Sequence, residues 1–263
     1  MTAPVGVITR GTTNPNRLRR CDRWLAGPQA WRLRRGPSPP VVVDLGYGAS
    51  PVTTVELRQR LARVRPDVRV IGIEIDPERV RAAQPLAGPG LEFRAGGFEI
   101  PTLERPTVIR AFNVLRQYDE STVRAHWDRV SARLTPDGLF VDGTCDEIGR
   151  RAVWVALEPE GPVSVTFAWR LSGLTAPGTI AERLPKVLIH RNVPGEAVHA
   201  FLADLDACWD RAAPHAAFGA RQRFAATAAA LAGAGWPVRD PARWRLGELT
   251  VAWSAVAPRG WRA

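Results

Sequence analysis

VVVDLGYGAS, residues 41–50, is the stretch on which the reading of this chain turns. Three consecutive β-branched valines, Val41 to Val43, predict a short buried strand closed by Asp44. Gly46 and Gly48 then predict a tight turn before a helical pattern opens near Thr53. Such a turn brings main-chain N–H groups to the C-terminal edge of a sheet, and glycine, having no Cβ, lets a ligand lie against bare backbone. The stretch reads as a nucleotide-type cofactor site.

Outward from it the pattern alternates between strand and helix. A helix is predicted over about 53–65, burying Val55, Leu57, Leu61 and Val64. VRVIGIEID, residues 68–76, follows, and its Val70, Ile71, Ile73 and Ile75 describe a strand buried on both faces, as in a parallel sheet. Asp76-Pro77-Glu78 starts a helix with proline in the first turn, where a missing N–H is tolerated. LEFRA (91–95), PTVIRAFNV (106–114) and LFVDGT (139–144) supply three more strands. Between the last two lies an amphipathic helix over 121–134 carrying Val123, Trp127, Val130 and Leu134. Beyond Cys145, VSVTFAWRL (163–171) and LTVAWSAVAP (249–258) read as strands, KVLIHRNV (186–193) as a short extended segment, and 195–212 and 221–232 as helices. This order predicts an α/β fold: a doubly wound, mainly parallel seven-stranded sheet with helices on both faces and a basic N-terminal extension. Residues 1–40 are expected to form an arm ending in the Pro-rich RGPSPP linker, and 41–263 the cofactor-binding domain.

The formal charge of +10 is concentrated at one end: residues 1–40 carry Arg10, Arg17, Arg19, Arg20, Arg23, Arg32, Arg34 and Arg35 against the single acid Asp22. A short helix over about 15–25, with Asn14 as N-cap and Leu18, Cys21 and Leu25 on its buried face, would leave the arginines outward. Arg17, Arg19, Arg20, Arg32, Arg34 and Arg35 are therefore candidates for holding RNA or another polyanion. Cys21, Cys145 and Cys208 are widely spaced without a CxxC, and the four histidines lack metal-ligand spacing, so no disulfide framework and no metal is expected. No apolar run reaches membrane-spanning length and the N-terminus has no signal-peptide core, which predicts a soluble cytoplasmic protein.

Two acids narrow the ligand. Asp44, two residues before Gly46, would repel a pyrophosphate and suit an ammonium or sulfonium, and Glu74, ending the second strand, can accept both hydroxyls of a ribose. At these residues the sequence resembles the class I S-adenosylmethionine-dependent methyltransferases: Asp44-Leu45-Gly46-Tyr47-Gly48 matches their acidic-x-Gly-x-Gly motif, and Glu74 in GIEID matches their second acidic position. The resemblance covers about residues 40–150. It implies S-adenosylmethionine as cofactor, with Asp44, Gly46, Tyr47 and Gly48 at its methionine end, Glu74 on the ribose and Ile75 against the adenine. Gly97 and Phe98 stand where the family often has an Asp contacting the adenine amino group, so that contact falls to main chain or to Glu99. Ser50 replaces a commonly found third glycine. Asn113 stands where the family places residues facing the transferred methyl, and is the candidate catalytic residue.

The expected function is methyl transfer, with RNA slightly preferred over a small molecule as acceptor. Trp154, Trp169 and Trp209 are the candidate lining of a small-molecule pocket, or else core. The segment Asn113-Val114-Leu115-Arg116 lacks the Asn-Pro-Pro-Tyr or Asp-Pro-Pro-Tyr element of many adenine and guanine amino methylases, which disfavours that chemistry. Asp142, Asp146, Glu147 and His190 are undistinguished candidates for a general base. The competing readings are a non-catalytic RNA-binding module on the same fold and, third, a nicotinamide dehydrogenase.

Overall fold

The computed structural model describes residues 4–9 and 13–261; Arg10 of the basic arm lies outside them. The chain divides into two compact units, residues 1–149 with 157–161, and residues 150–156 with 162–263. The described part of the arm belongs to the first unit.

The first unit opens with two short helices, α1 (Arg19–Ala26) and α2 (Ala30–Arg34). Five parallel strands follow: β1 (Val41–Leu45), β2 (Arg69–Glu74), β3 (Leu91–Ala95), β4 (Val108–Phe112) and β5 (Leu139–Cys145), in the order β3-β2-β1-β4-β5. Helix α3 (Val52–Ala62) links β1 to β2, α4 (Pro77–Ala83) links β2 to β3, and α5 (Glu120–Ser131) links β4 to β5. Every residue of β1 and β4 is buried, which explains why both are apolar apart from Asp44 and Arg110. Strand order reverses between β1 and β4, and a doubly wound sheet binds ligands outside the strand ends at such a switch point.

Local chemistry fixes the helix starts. The Asp76 side chain accepts from Glu78 N at 2.9 Å with Pro77 at the first helical position of α4, and Asp119 caps α5 by accepting from Ser121 N at 2.9 Å. Helix α5 buries Val123, Trp127 and Val130, as its periodicity predicts. Helix α1 begins at Arg19, with Leu18 rather than Asn14 at its N-cap. The Asn14 amide instead donates to the Glu147 carbonyl at 2.9 Å, while Leu18, Cys21 and Leu25 are buried as expected.

The second unit contains most of β6 (Arg151–Glu158) and of β7 (Gly161–Trp169), then α6 (Lys186–Ile189), α7 (Ala197–Arg211), α8 (Ala220–Gly233), β8 (Val238–Arg239), α9 (Pro241–Trp244), β9 (Glu248–Ala252) and α10 (Trp253–Val256). Strand β9 pairs antiparallel with β7 and β8. Phe167 stacks on Phe201 at 5.1 Å and Trp169 lies 5.2 Å from Phe224, so aromatic rings of strand and helices fill this core. Trp154, Trp169 and Trp209 are buried in it as packing.

Nine strands are present among the described residues where seven were expected. RAVWVALE forms one additional strand, β6, its valines and tryptophan being strand formers that the surrounding Arg, Ala and Leu mask, and Val238–Arg239 forms the other, the two-residue β8. KVLIHRNV is not extended: Lys186–Ile189 turns into α6 directly after Pro185. LTVAWSAVAP stays extended only to Ala252, after which Trp253–Val256 closes a helical turn.

Candidate functional site

The turn after β1 has the expected backbone. Gly46 and Gly48 have φ of 69° and 81°, in the left-handed region that glycine adopts without penalty. A Cβ at Gly46 would also meet Val114 Cγ2 at 2.6 Å. Gly46 N donates to Ile73 O at 2.7 Å, and Gly48 N donates to Glu74 Oε2 at 2.8 Å, tying the turn to the end of β2. Glu74 is only 1% exposed, and its Oε1 accepts from Ile75 N at 3.0 Å, with Arg79 Nη1 at 3.6 Å. The two motifs that the sequence singles out are thus in direct contact.

Asp44 does not present a free carboxylate. Its Oδ1 accepts from Arg110 Nε at 2.9 Å and its Oδ2 from Arg110 Nη2 at 2.7 Å and Thr54 Oγ1 at 2.8 Å. Arg110 also bonds Asp22 of α1, which in turn pairs with Arg60 of α3. Burial alone would lower the Arg110 pKa, but the charges of Asp44 and Asp22 outweigh it and the pKa is raised. Asp22, with burial as the larger effect, is raised despite both arginines. A cationic ligand is therefore not selected by an uncompensated Asp44. The sequence signal for this network is an arginine in the middle of an otherwise apolar strand, since a wholly buried arginine requires carboxylate partners.

Two neighbouring cavities lie at the switch point. One, of about 70 Å³, is lined by Asp44, Gly46, Tyr47, Gly48 and Asn113 together with Arg17. The other, of about 20 Å³, is lined by Gly46, Glu74, Ile75, Gly97 and Phe98 together with Tyr118. All nine residues expected from the sequence thus line one cavity or the other. The Tyr47 ring packs edge-on to Phe93 at 5.5 Å, and burial raises its pKa. Phe98 stacks on His126 at 4.1 Å and meets Tyr118 edge-on at 5.3 Å. Burial, followed by the charge of Arg129, lowers the His126 pKa.

Asn113 has φ of 58°, and its Oδ1 accepts from Cys145 N at 3.0 Å while Nδ2 lies 3.5 Å from Cys145 Sγ. Its amide thus bridges the ends of β4 and β5. Arg17 Nε reaches Cys145 Sγ at 3.2 Å and Asp146 O at 3.0 Å. Burial raises the Cys145 pKa above that of an ordinary thiol. Asp142, a candidate base, lines neither cavity; it accepts from Trp127 Nε1 at 2.9 Å, and burial pushes its carboxyl up to about 7.

The described residues 4–9, which carry no motif, lie against the smaller cavity. Val5 N donates to Glu99 Oε2 at 2.7 Å, Phe98 N donates to Val5 O at 2.9 Å, and Val7 N donates to Tyr118 Oη at 2.7 Å. Several arm arginines engage protein oxygens, while Arg23, Arg34 and Arg35 are exposed. Arg19 donates to Asn16 O and Ile148 O at 2.9 and 3.0 Å, Arg32 is buried against Asp137, Gly138 and Glu158, and Arg35 pairs with Asp137 at 2.9 Å. Arg20 is half-buried and Arg34 exposed. Among the described residues no helix is long and apolar enough to cross a membrane, and no group of His, Cys, Asp and Glu could hold a metal ion.

The strand order and the glycine turn define a Rossmann-like α/β fold with two cavities at the switch point. No protein-family model matches the chain, and no curated protein matches it. Solved structures are similar in fold. The citrinin polyketide synthase CMeT domain is 20% identical, with a TM-score of 0.37 over 44% of this chain and 33% of that one. Human N-acetylserotonin methyltransferase in complex with SAM is 21% identical, with a TM-score of 0.36 over 49% of this chain and 35% of that one. The plantazolicin methyltransferase BpumL in complex with a desmethyl analogue and SAH is 12% identical, with a TM-score of 0.37 over 48% and 46%. In each case the match spans less than half of the solved chain.

Proposed function

We propose that the chain binds S-adenosylmethionine at the switch point and transfers its methyl group to a small molecule. The observation that carries this reading is the pairing of Glu74 with the Gly46–Gly48 turn. A buried carboxylate ends β2, and the Gly48 amide, in the glycine turn after β1, stands 2.8 Å from it. A carboxylate in this position accepts vicinal ribose hydroxyls, and the turn admits a ligand where any Cβ would obstruct it. Ile75 and Phe98 supply apolar walls for a flat ring, and the larger cavity beside Arg17 and Asn113 supplies polar partners for an amino-acid end.

The sulfonium supplies an activated methyl, so the chain's own task is to bind, orient and exclude water. Glu74 and the turn hold the cofactor's sugar, and Asn113, by locking β4 to β5, holds the rim beside which the acceptor would stand. A small-molecule acceptor ranks ahead of RNA because Arg17, Arg19 and Arg32 are engaged by protein oxygens rather than turned to solvent.

Calorimetry with S-adenosylhomocysteine tests the cofactor. Binding by the wild-type chain that is lost in Glu74→Ala supports the reading, and wild-type binding that Glu74→Ala leaves unchanged refutes it. An RNA acceptor would reveal itself by binding that collapses between low and moderate salt.

A further inference from the structure

The described N-terminal residues are bonded to the groups that would read the cofactor's base. Resting on the cofactor reading above, we propose that residues 4–9 are a built-in occupant of the base subsite, so that S-adenosylmethionine enters only by displacing them. The hydrogen-bond pattern is the first support. Val5 offers a donor and an acceptor, its own N–H and C=O; Glu99 takes the first and the Phe98 amide supplies the second. An adenine edge offers the same adjacent pair, an exocyclic N–H donor beside a ring-nitrogen acceptor. Glu99 and the Phe98 amide can serve the peptide or the base, but not both.

Gly97 is the second support. A Cβ there would overlap the Val5 carbonyl and carbonyl carbon, so the absence of a side chain at 97 is what lets the segment lie so close. The space left is the third: about 20 Å³ remains between the segment and Glu74, Ile75, Phe98 and Tyr118, room for roughly one water and not for a purine.

The segment is held by main-chain bonds rather than by a buried core. Tyr118 Oη accepts from Val7 N and Arg79 donates to Thr9 O at 3.1 Å, yet the side chains of Val7 and Ile8 are 59% and 56% exposed. A segment with so little apolar burial opens at low cost, as a displaceable occupant must.

Hydrogen exchange on the full chain, with and without S-adenosylhomocysteine, is the direct test. Displacement predicts faster exchange at the Val7 amide on adding the ligand, with the Phe98 amide still protected because its acceptor has been exchanged and not lost. Two variants loosen the segment by separate means, each within the segment itself: Val5→Pro removes the N–H given to Glu99, and Val7→Pro removes the N–H given to Tyr118 Oη. Each should bind S-adenosylhomocysteine about tenfold more tightly than wild type, the effect of taking one hydrogen bond from the competitor. Binding that leaves the Val7 amide protected, or folded variants that match wild type in affinity, would overturn the occupant proposal while leaving the cofactor reading standing. Failure of wild type and both folded variants to bind at all would overturn the cofactor reading, and this proposal with it.

Discussion

Asp44 and Arg110 stand in register on adjacent parallel strands, β1 and β4, and make a two-point ion pair at 2.9 and 2.7 Å directly beneath the glycine turn. Arg110 holds a second carboxylate, Asp22, from outside the sheet, so one guanidinium pins α1 to the strand that carries the site. The acid of the strand-end motif is thus an internal tie, and its effect on a ligand is exerted through the position of Gly46 and Gly48.

Removing the guanidinium should therefore be severe. Arg110→Met leaves two buried carboxylates of which only Asp22 retains an arginine, and breaking a buried pair from one side costs about 3–5 kcal/mol. Arg110→Lys should rescue little, because an ammonium cannot reproduce the fork that meets Asp44 at two points and Thr53 O at 3.2 Å. Urea denaturation monitored by tryptophan fluorescence reads the difference; a variant within 1 kcal/mol of wild type would refute the account.

Asp142 should make the protein less stable as pH rises. Its carboxyl titrates near 7 when folded against an ordinary value of 3.8. The native state therefore holds its proton through that interval while the unfolded chain releases it. The sign follows: stability from this group is fullest below pH 3.8, declines towards pH 7 and is level above. Asp142→Asn, which still offers Trp127 an acceptor, should stabilise the chain at pH 8 by up to roughly 4 kcal/mol and have little effect at pH 4. Denaturation midpoints at the two pH values check this.

The parallel half of the fold is legible in the sequence because its strands are buried on both faces and its turns carry glycine, proline and aspartate where the backbone demands them. Gly46, Gly48 and Glu74 are legible for the same reason, since motif and backbone geometry coincide there. What a linear pattern does not show is pairing across distance. Asp44 reads as a free strand-end carboxylate, and its two-point pairing with Arg110, sixty-six residues away, is invisible in the linear pattern. Arg17, Arg19 and Arg32 of the arm donate to carbonyls elsewhere in the first unit, a pairing that the run of arginines in the sequence does not reveal. Val5 gives no signal, because it acts through its main chain.

His126 should produce an acid limb of opposite sign. Burial against Phe98, with Arg129 nearby, holds its folded pKa below the ordinary 6.5. The unfolded chain takes up the proton first, so stability falls as pH drops from 6.5 towards the lowered value and levels off beneath it. His126→Phe keeps the stack on Phe98 without the titrating ring, and its denaturation midpoint should fall less between pH 7.5 and 5.5 than that of wild type. Parallel declines would assign the acid limb to other groups.

Gly46 separates the cradle from the fold. Alanine there meets two obstacles: a φ of 69° that L residues adopt only with strain, and Val114 Cγ2 at 2.6 Å from the new methyl. The strain alone costs about 1–2 kcal/mol, and Val114 has to shift as well, so Gly46→Ala should lower stability by about 2–3 kcal/mol. Val114→Ala in the same chain removes the obstructing methyl and should restore the part due to crowding, while leaving the part due to φ. The double variant then tests the cradle itself. A methyl at 46 projects into the wall shared by both cavities, so S-adenosylhomocysteine affinity should stay low in Gly46→Ala/Val114→Ala even where folding has recovered. Calorimetry beside urea denaturation separates the two effects, and affinity that recovers in step with stability would show that Gly46 serves the fold and not the ligand.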